Sequence, residues 1–137
     1  MKQYLTSMCN QPFIRHMSIT SNNSDRVLVG RSVLLASSRL SLTKRFTAAA
    51  IGTSTSTLYR VSKGAPLPSG KPYENALLLI RIYRNLFAIL GADQKSMRHW
   101  MNMLNQHLNQ QRPIELIQTT EGMVRLLWYL DRMVIRH

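Results

Sequence analysis

The sequence predicts an all-α protein: an N-terminal helix-turn-helix domain followed by a small C-terminal helical bundle. Three observations predict it. Apolar residues recur at helical spacing beyond residue 25, as Met123, Leu127, Leu130 and Val134 do at i, i+4, i+7 and i+11. No segment alternates in the manner of a strand. Lys44–Lys63 reads as two short helices around a glycine turn. A chain of 137 residues, 45% of them apolar, is enough for one or two small domains with a modest core.

Residues 1–24 mix Ser, Asn, Thr and Gln without a clear period and are expected to form a flexible arm. A first helix begins near Asp25, whose carboxylate suits an N-cap, and ends near Ser37–Ser38. Two short helices follow, about Thr43–Ile51 and Thr55–Lys63. Gly64–Pro72 holds three prolines in nine residues and marks a domain boundary, giving a DNA-binding domain over 25–72 and a helical domain over 73–137. Tyr73–Leu90 is a helix apolar nearly all round, which belongs at the centre of a bundle or in an interface. Gly91 stops it, and Asp93 caps the next helix, Gln94–Leu104, where Met97, Trp100, Met101 and Leu104 share a face. Pro113 opens a short helix, Pro113–Ile117, and Thr119 or Thr120 caps the last, which runs toward Arg136.

Eighteen Lys and Arg against six Asp and Glu give a net charge of +12, which favours an anionic partner. From Arg26 through Tyr73 the chain carries eight basic residues and no acid. Within that stretch the small Ala48 suits a steep helix crossing, and Gly52 suits a turn with positive φ. Ile51, Leu58 and Val61 seal the core beneath. Lys44, Arg45, Ser54, Thr55, Ser56, Tyr59, Arg60 and Lys63 are left as candidate DNA contacts. Hydroxyls reach phosphates or base edges, Arg can donate two bonds to guanine, and fixed positive charge releases counterions. The bland alternative is a helical hairpin with a solvated basic face. Thr53 favours it, standing where such motifs usually carry an aliphatic residue.

The last helix lines up Arg125, Trp128, Arg132 and Arg136 at i, i+3, i+7 and i+11, with Tyr129 beside them. Aromatic rings among arginines make a contact surface. The other reading is that Trp128 tucks into the bundle and the arginines are solvated.

Trp100-Met101, Leu108, the string Arg112-Pro-Ile-Glu-Leu-Ile-Gln-Thr-Thr-Glu-Gly122 and Leu130-x-Arg132-Met133 together resemble the toxin-binding domain of Xre/MbcA/ParS-type antitoxins. Members of that family typically place a helix-turn-helix just upstream, where this sequence has Lys44–Lys63. The resemblance implies an antitoxin of a bacterial type II system. It would neutralise a RES- or ParT-like toxin that consumes NAD or transfers ADP-ribose, and repress its own operon. It further implies partners in operator DNA and a cognate toxin, assembly as a homodimer or a hetero-oligomer, and a scaffold role for Trp100, Pro113, Leu116, Thr119 and Gly122. The toxin-facing residues would be Arg125, Trp128, Tyr129, Arg132, Arg136 and His137. Two positions depart from the family. Asn109-Gln110 replaces paired glycines, which leaves that turn's geometry open. Arg136 replaces a glycine that often precedes a tail able to enter the toxin's cleft, which puts tail insertion in question.

Enzyme chemistry is not expected. His16, His99, His107 and His137 lack metal-ligand spacing with one another or with Cys9 and read as surface or packing residues. Gly64–Lys71 has the wrong glycine spacing for a phosphate loop, and Pro72 stands where Ser or Thr would hold magnesium. No cofactor, metal or membrane contact is expected. The single cysteine fits a reducing cytoplasm. Two other functions compete with the antitoxin reading: a stand-alone transcription regulator that dimerises through the C-terminal bundle, and a pure protein-interaction domain with a vestigial helix-turn-helix.

Overall fold

A computed structural model describes residues 22–136. Among them are seven α-helices, one 3-10 turn and no strand. In chain order the helices are α1 (Asn23–Arg39), α2 (Lys44–Ile51), α3 (Thr55–Ser62), α4 (Lys71–Leu90), α5 (Gln94–Asn102), α6 (Pro113–Leu116) and α7 (Thr120–Arg136), with the 3-10 turn at Gln106–Leu108 between α5 and α6. Most of the arm expected over 1–24 lies outside the described residues, and so does His137.

Helix ends follow local hydrogen bonding. The Asn22 carboxamide, rather than Asp25, caps α1: its oxygen accepts from the Asp25 amide at 2.8 Å. Asp25 therefore sits in the first turn, where its charge opposes the helix dipole favourably. Thr43, Ser54 and Asp93 cap α2, α3 and α5 through their side chains. At α7 the Thr119 hydroxyl accepts from the Gly122 amide at 3.0 Å, which settles the choice between Thr119 and Thr120. Helix α4 begins at Lys71, ahead of the expected Tyr73. Pro72 falls in its first turn, where a missing N–H costs nothing. Helix α5 stops at Asn102, so Leu104 lies beyond its end and is 62% exposed instead of joining the Met97–Met101 face.

The turn between α2 and α3 matches its expected chemistry. Gly52 has φ 86°, and both its amide and that of Thr53 donate to the Ala48 carbonyl, at 3.0 and 2.8 Å. Ala48, Ile51, Leu58 and Val61 are all buried. Gly30 on α1 allows α3 to approach, since a Cβ there would stand 2.6 Å from Val61 Cγ1.

One hydrophobic cluster runs from Val33 to Leu130. Its axis is α4, which packs against α1 and α2 on one side and α5 and α7 on the other. Leu79, Ile82 and Leu86 are fully buried there. The proline segment before α4 is tied down as well. Leu67 is fully buried, its amide donates to the Arg26 carbonyl, and its carbonyl accepts from the Arg26 guanidinium at 3.2 Å. The boundary expected near residue 72 thus separates stretches of chain that share a core. Asn75, 1% exposed, bridges them: its amide donates to the Ala50 carbonyl at 3.4 Å, and its oxygen accepts from the Thr120 hydroxyl at 3.1 Å. Among the described residues no single helix is long and apolar enough to cross a membrane.

Candidate functional site

Two exposed faces carry the residues that the sequence singled out. The first is α3, which the Ser54 cap and the buried Leu58 and Val61 fix against α1 and α2. Thr55, Ser56, Tyr59, Arg60 and Lys63 are all exposed. The Lys63 ammonium stands 5.5 Å from the Tyr59 ring centroid, a cation–π arrangement that holds both on one face. Arg60 donates to the Thr57 hydroxyl at 3.2 Å, a bond at the helix surface that a stronger acceptor can replace. Ser54 differs from the others. Its hydroxyl accepts from the Thr57 amide and donates to the Thr57 hydroxyl, so it is engaged in capping.

Lys44 and Arg45 are exposed in the first turn of α2. Arg45 lines a depression with Phe46 and Ala49 whose other side includes Gln118, just ahead of α7. Thr53 is half-buried and belongs to no part of the core cluster. Of the eight basic residues in the acid-free stretch, Arg26 is committed to Leu67 and Asn23 and is not a surface charge in the same sense as the rest.

The second face is α7. Gly122, Met123, Leu126, Leu127 and Leu130 are buried against α4 and α6. Gly122 makes the approach to α6 possible, since a Cβ there would overlap the Leu116 carbonyl. Asp131 fixes the other edge, accepting from Asn85 at 2.7 Å and from Arg81 at 3.5 Å. Arg125, Trp128, Arg132 and Arg136 remain on the exposed face, as the i, i+3, i+7, i+11 spacing demands. Trp128 is 66% exposed, so the tucked alternative does not hold. None of these three arginines is paired with a described carboxylate.

His107 joins this face without having been foreseen. The 3-10 turn brings its ring onto Tyr129 with centroids 5.8 Å apart and planes 21° from parallel. Twenty-odd residues of chain separate the two, and no local pattern signals the contact. The turn that places His107 is the one carrying Asn109-Gln110. Both residues adopt positive φ, 56° and 59°, the left-handed conformation that glycine would take more cheaply. Asn105 and Gln111 pair across its base, the Asn105 amide donating to the Gln111 carbonyl at 3.2 Å.

The residues to which the resemblance gave a scaffold role differ in burial, and Thr119 is exposed, acting as the cap of α7. Pro113, Leu116 and Gly122 are buried, and Trp100 packs half-buried on the core. Beside them, Glu115 accepts from the Arg112 guanidinium at 2.8 Å and from its amide at 3.0 Å. The side-chain bond to Arg112, with the backbone bond behind it, holds the Glu115 carboxyl below its ordinary range. Among the described residues no three His, Cys, Asp or Glu side chains converge as a metal site.

Among the described residues the fold is all-helical, and the candidate contact residues lie on exposed helix surfaces. No curated protein matches the sequence. Residues 85–134 match the antitoxin Xre/MbcA/ParS C-terminal toxin-binding domain family. The match begins inside α4 and takes in the whole of α7 but its last two residues. It is a family of binding domains rather than of enzymes. A chain from the crystal structure of the M. tuberculosis MbcT–MbcA toxin-antitoxin complex has a similar fold: TM-score 0.61 at 21% identity, covering 78% of this chain and 94% of that one. This likeness bears on the fold alone.

Proposed function

We propose that the protein is the antitoxin of a bacterial type II toxin-antitoxin pair. It binds its toxin through the exposed face of α7 and operator DNA through α3. The observation that carries the proposal is the coincidence of a match to a toxin-binding domain family with an exposed Trp and three arginines that pair with no described carboxylate, on the last helix of the matched region. Burial of an exposed Trp flanked by Arg is a common source of binding energy between proteins. The structurally similar M. tuberculosis chain comes from a complex of a toxin with its antitoxin, which agrees with the proposal.

The DNA-binding half rests on the exposed Thr55, Ser56, Tyr59, Arg60 and Lys63, set in a stretch without acids. In this reading the toxin is NAD-consuming or ADP-ribosylating, toxin and antitoxin together repress their operon, and both act in the cytoplasm. The working form is a homodimer or a hetero-oligomer with the toxin.

Co-expression with the product of the adjacent reading frame is the direct test. That product should arrest growth alone and be neutralised by this chain, with recovery of a stable complex. A harmless neighbour, or continued arrest despite expression of both, removes the antitoxin reading. Operator binding that persists with no toxic neighbour supports instead a stand-alone regulator that dimerises through its C-terminal helices.

A further inference from the structure

The outer face of α7 divides lengthwise into three strips. Trp128 and Ile135 form an apolar strip, 66% and 83% exposed. Arg125, Arg132 and Arg136 run along the middle. Tyr129 and Met133 form the far edge, where His107 stacks on Tyr129 and closes a shallow trough. Arg132 and Arg136 line the same trough.

Its chemistry selects an anion. Among the described residues no carboxylate lines it, and Asp131 lies at the opposite edge of the helix, already bound to Arg81 and Asn85. Two neighbouring guanidiniums repel each other until an anion sits between them, and the guanidinium fork matches a carboxylate with two parallel hydrogen bonds. The stacked His107 and Tyr129 rings form one wall of the trough.

The neighbouring strip decides what kind of molecule brings the anion. A phosphodiester backbone offers little to cover Trp128 and Ile135, and nucleic-acid interfaces are polar and strongly basic. Protein contact surfaces, in contrast, concentrate Trp, Tyr and Arg. In addition α3, the candidate DNA face, packs on α1 and α2, whereas α7 packs on α4 and α6.

We infer that the trough formed by His107, Tyr129, Met133, Arg132 and Arg136 receives an aspartate or glutamate side chain of the toxin, while an apolar part of the toxin covers Trp128. The inference rests on the reading of α7 as the toxin-binding face. It makes His107, which lies outside that helix, part of the interface.

The test titrates the purified product of the adjacent reading frame with the full chain and its variants, at low and high salt. Arg132→Glu/Arg136→Glu should weaken binding at least about 100-fold, chiefly through faster dissociation. Its remaining affinity should vary less with salt than that of the wild type. Lys95→Glu/Arg98→Glu makes the same change of net charge on α5 and should stay within about threefold of wild type. The substituted side chains are exposed, and melting curves establish that both variants fold. Wild-type binding that Trp128→Ala weakens but Arg132→Glu/Arg136→Glu leaves intact overturns the inference alone. So does an equal loss in both double variants, which makes net charge the cause. Loss of operator affinity with toxin affinity unchanged reassigns the trough to nucleic acid. Absence of any wild-type complex removes the underlying reading and the inference with it.

Discussion

At the scale of single residues, the positions that the sequence marked most clearly are those where a side chain would collide or strain. Gly52 and Gly122 illustrate two different reasons for glycine. Gly52 supplies a left-handed turn at φ 86°, whereas Gly122 has no special dihedral and is required because Leu116's carbonyl occupies the space of a Cβ. Gly122→Ala should therefore cost about 3 kcal/mol, as overpacking of a closed site does. A thermal melt checks it, with Tm expected to fall by roughly 10 °C; a melt within a degree or two of wild type would show that α6 yields. Asn109 and Gln110 carry the opposite lesson. Residue type marked them less clearly than glycine would, Asn tolerating positive φ better than Gln, yet both adopt it in a turn that the Asn105–Gln111 pairing closes. The Tyr129–His107 stack was illegible for a related reason: it depends on where that turn ends, not on any periodicity.

At the scale of elements, each of the seven helices has a counterpart in the sequence reading, from apolar spacing, turn glycines or a proline start, and the differences fell at ends. Asn22 and Asp25 are both good caps by residue type, and only the backbone decides between them. Leu104 fitted the apolar period of α5 but falls past the point where the chain turns extended at Met103. The outward set on α3, Thr55, Ser56, Tyr59, Arg60 and Lys63, is exposed as expected, and Ser54, also named as a candidate DNA contact, caps the helix with its hydroxyl. That distinction makes a prediction at this scale. Arg60→Ala and Lys63→Ala should each weaken binding to DNA upstream of the gene about tenfold, with a reduced salt dependence for each. Thr55→Ala should leave the helix intact, whereas Ser54→Ala should lower helix stability by about 1 kcal/mol. A gel shift at two salt concentrations reads the arginine and lysine effects. Unchanged affinity in both variants would take α3 out of the DNA contact.

At the scale of the whole molecule, the excess of positive charge was plain in the composition, but its distribution was not. Two carboxylates, Glu115 and Asp131, are engaged by Arg112 and Arg81, while no described carboxylate pairs with the arginine strip of α7. The Glu115 carboxyl, held below its ordinary value of 4.5 chiefly by the Arg112 side chain, makes a pH-dependent contribution. A depressed carboxyl adds stability above its unfolded value, and that contribution disappears as pH falls through the folded one. Glu115→Gln should consequently be less stable than wild type at pH 7, and the gap should close in acid, once the Glu115 carboxyl is protonated in the folded and unfolded chain alike. Urea melts at neutral and acid pH measure it, and added salt should narrow the gap at neutral pH because the pair is exposed.

The division of the chain was the least legible feature at this scale. Prolines at 66, 68 and 72 look like a seam, yet α4 serves as a wall for what lies on either side of it, and Asn75 ties Ala50 to Thr120 through its interior. This bears on recombination. A different helix-turn-helix joined at the prolines would meet an α4 whose first half was shaped for α1 and α2. It would arrive with a mismatched apolar surface and an Asn75 deprived of its acceptor. An exchange that keeps both halves folded must instead cross over inside α4, carrying its first turns with the N-terminal partner and its later turns with the C-terminal one.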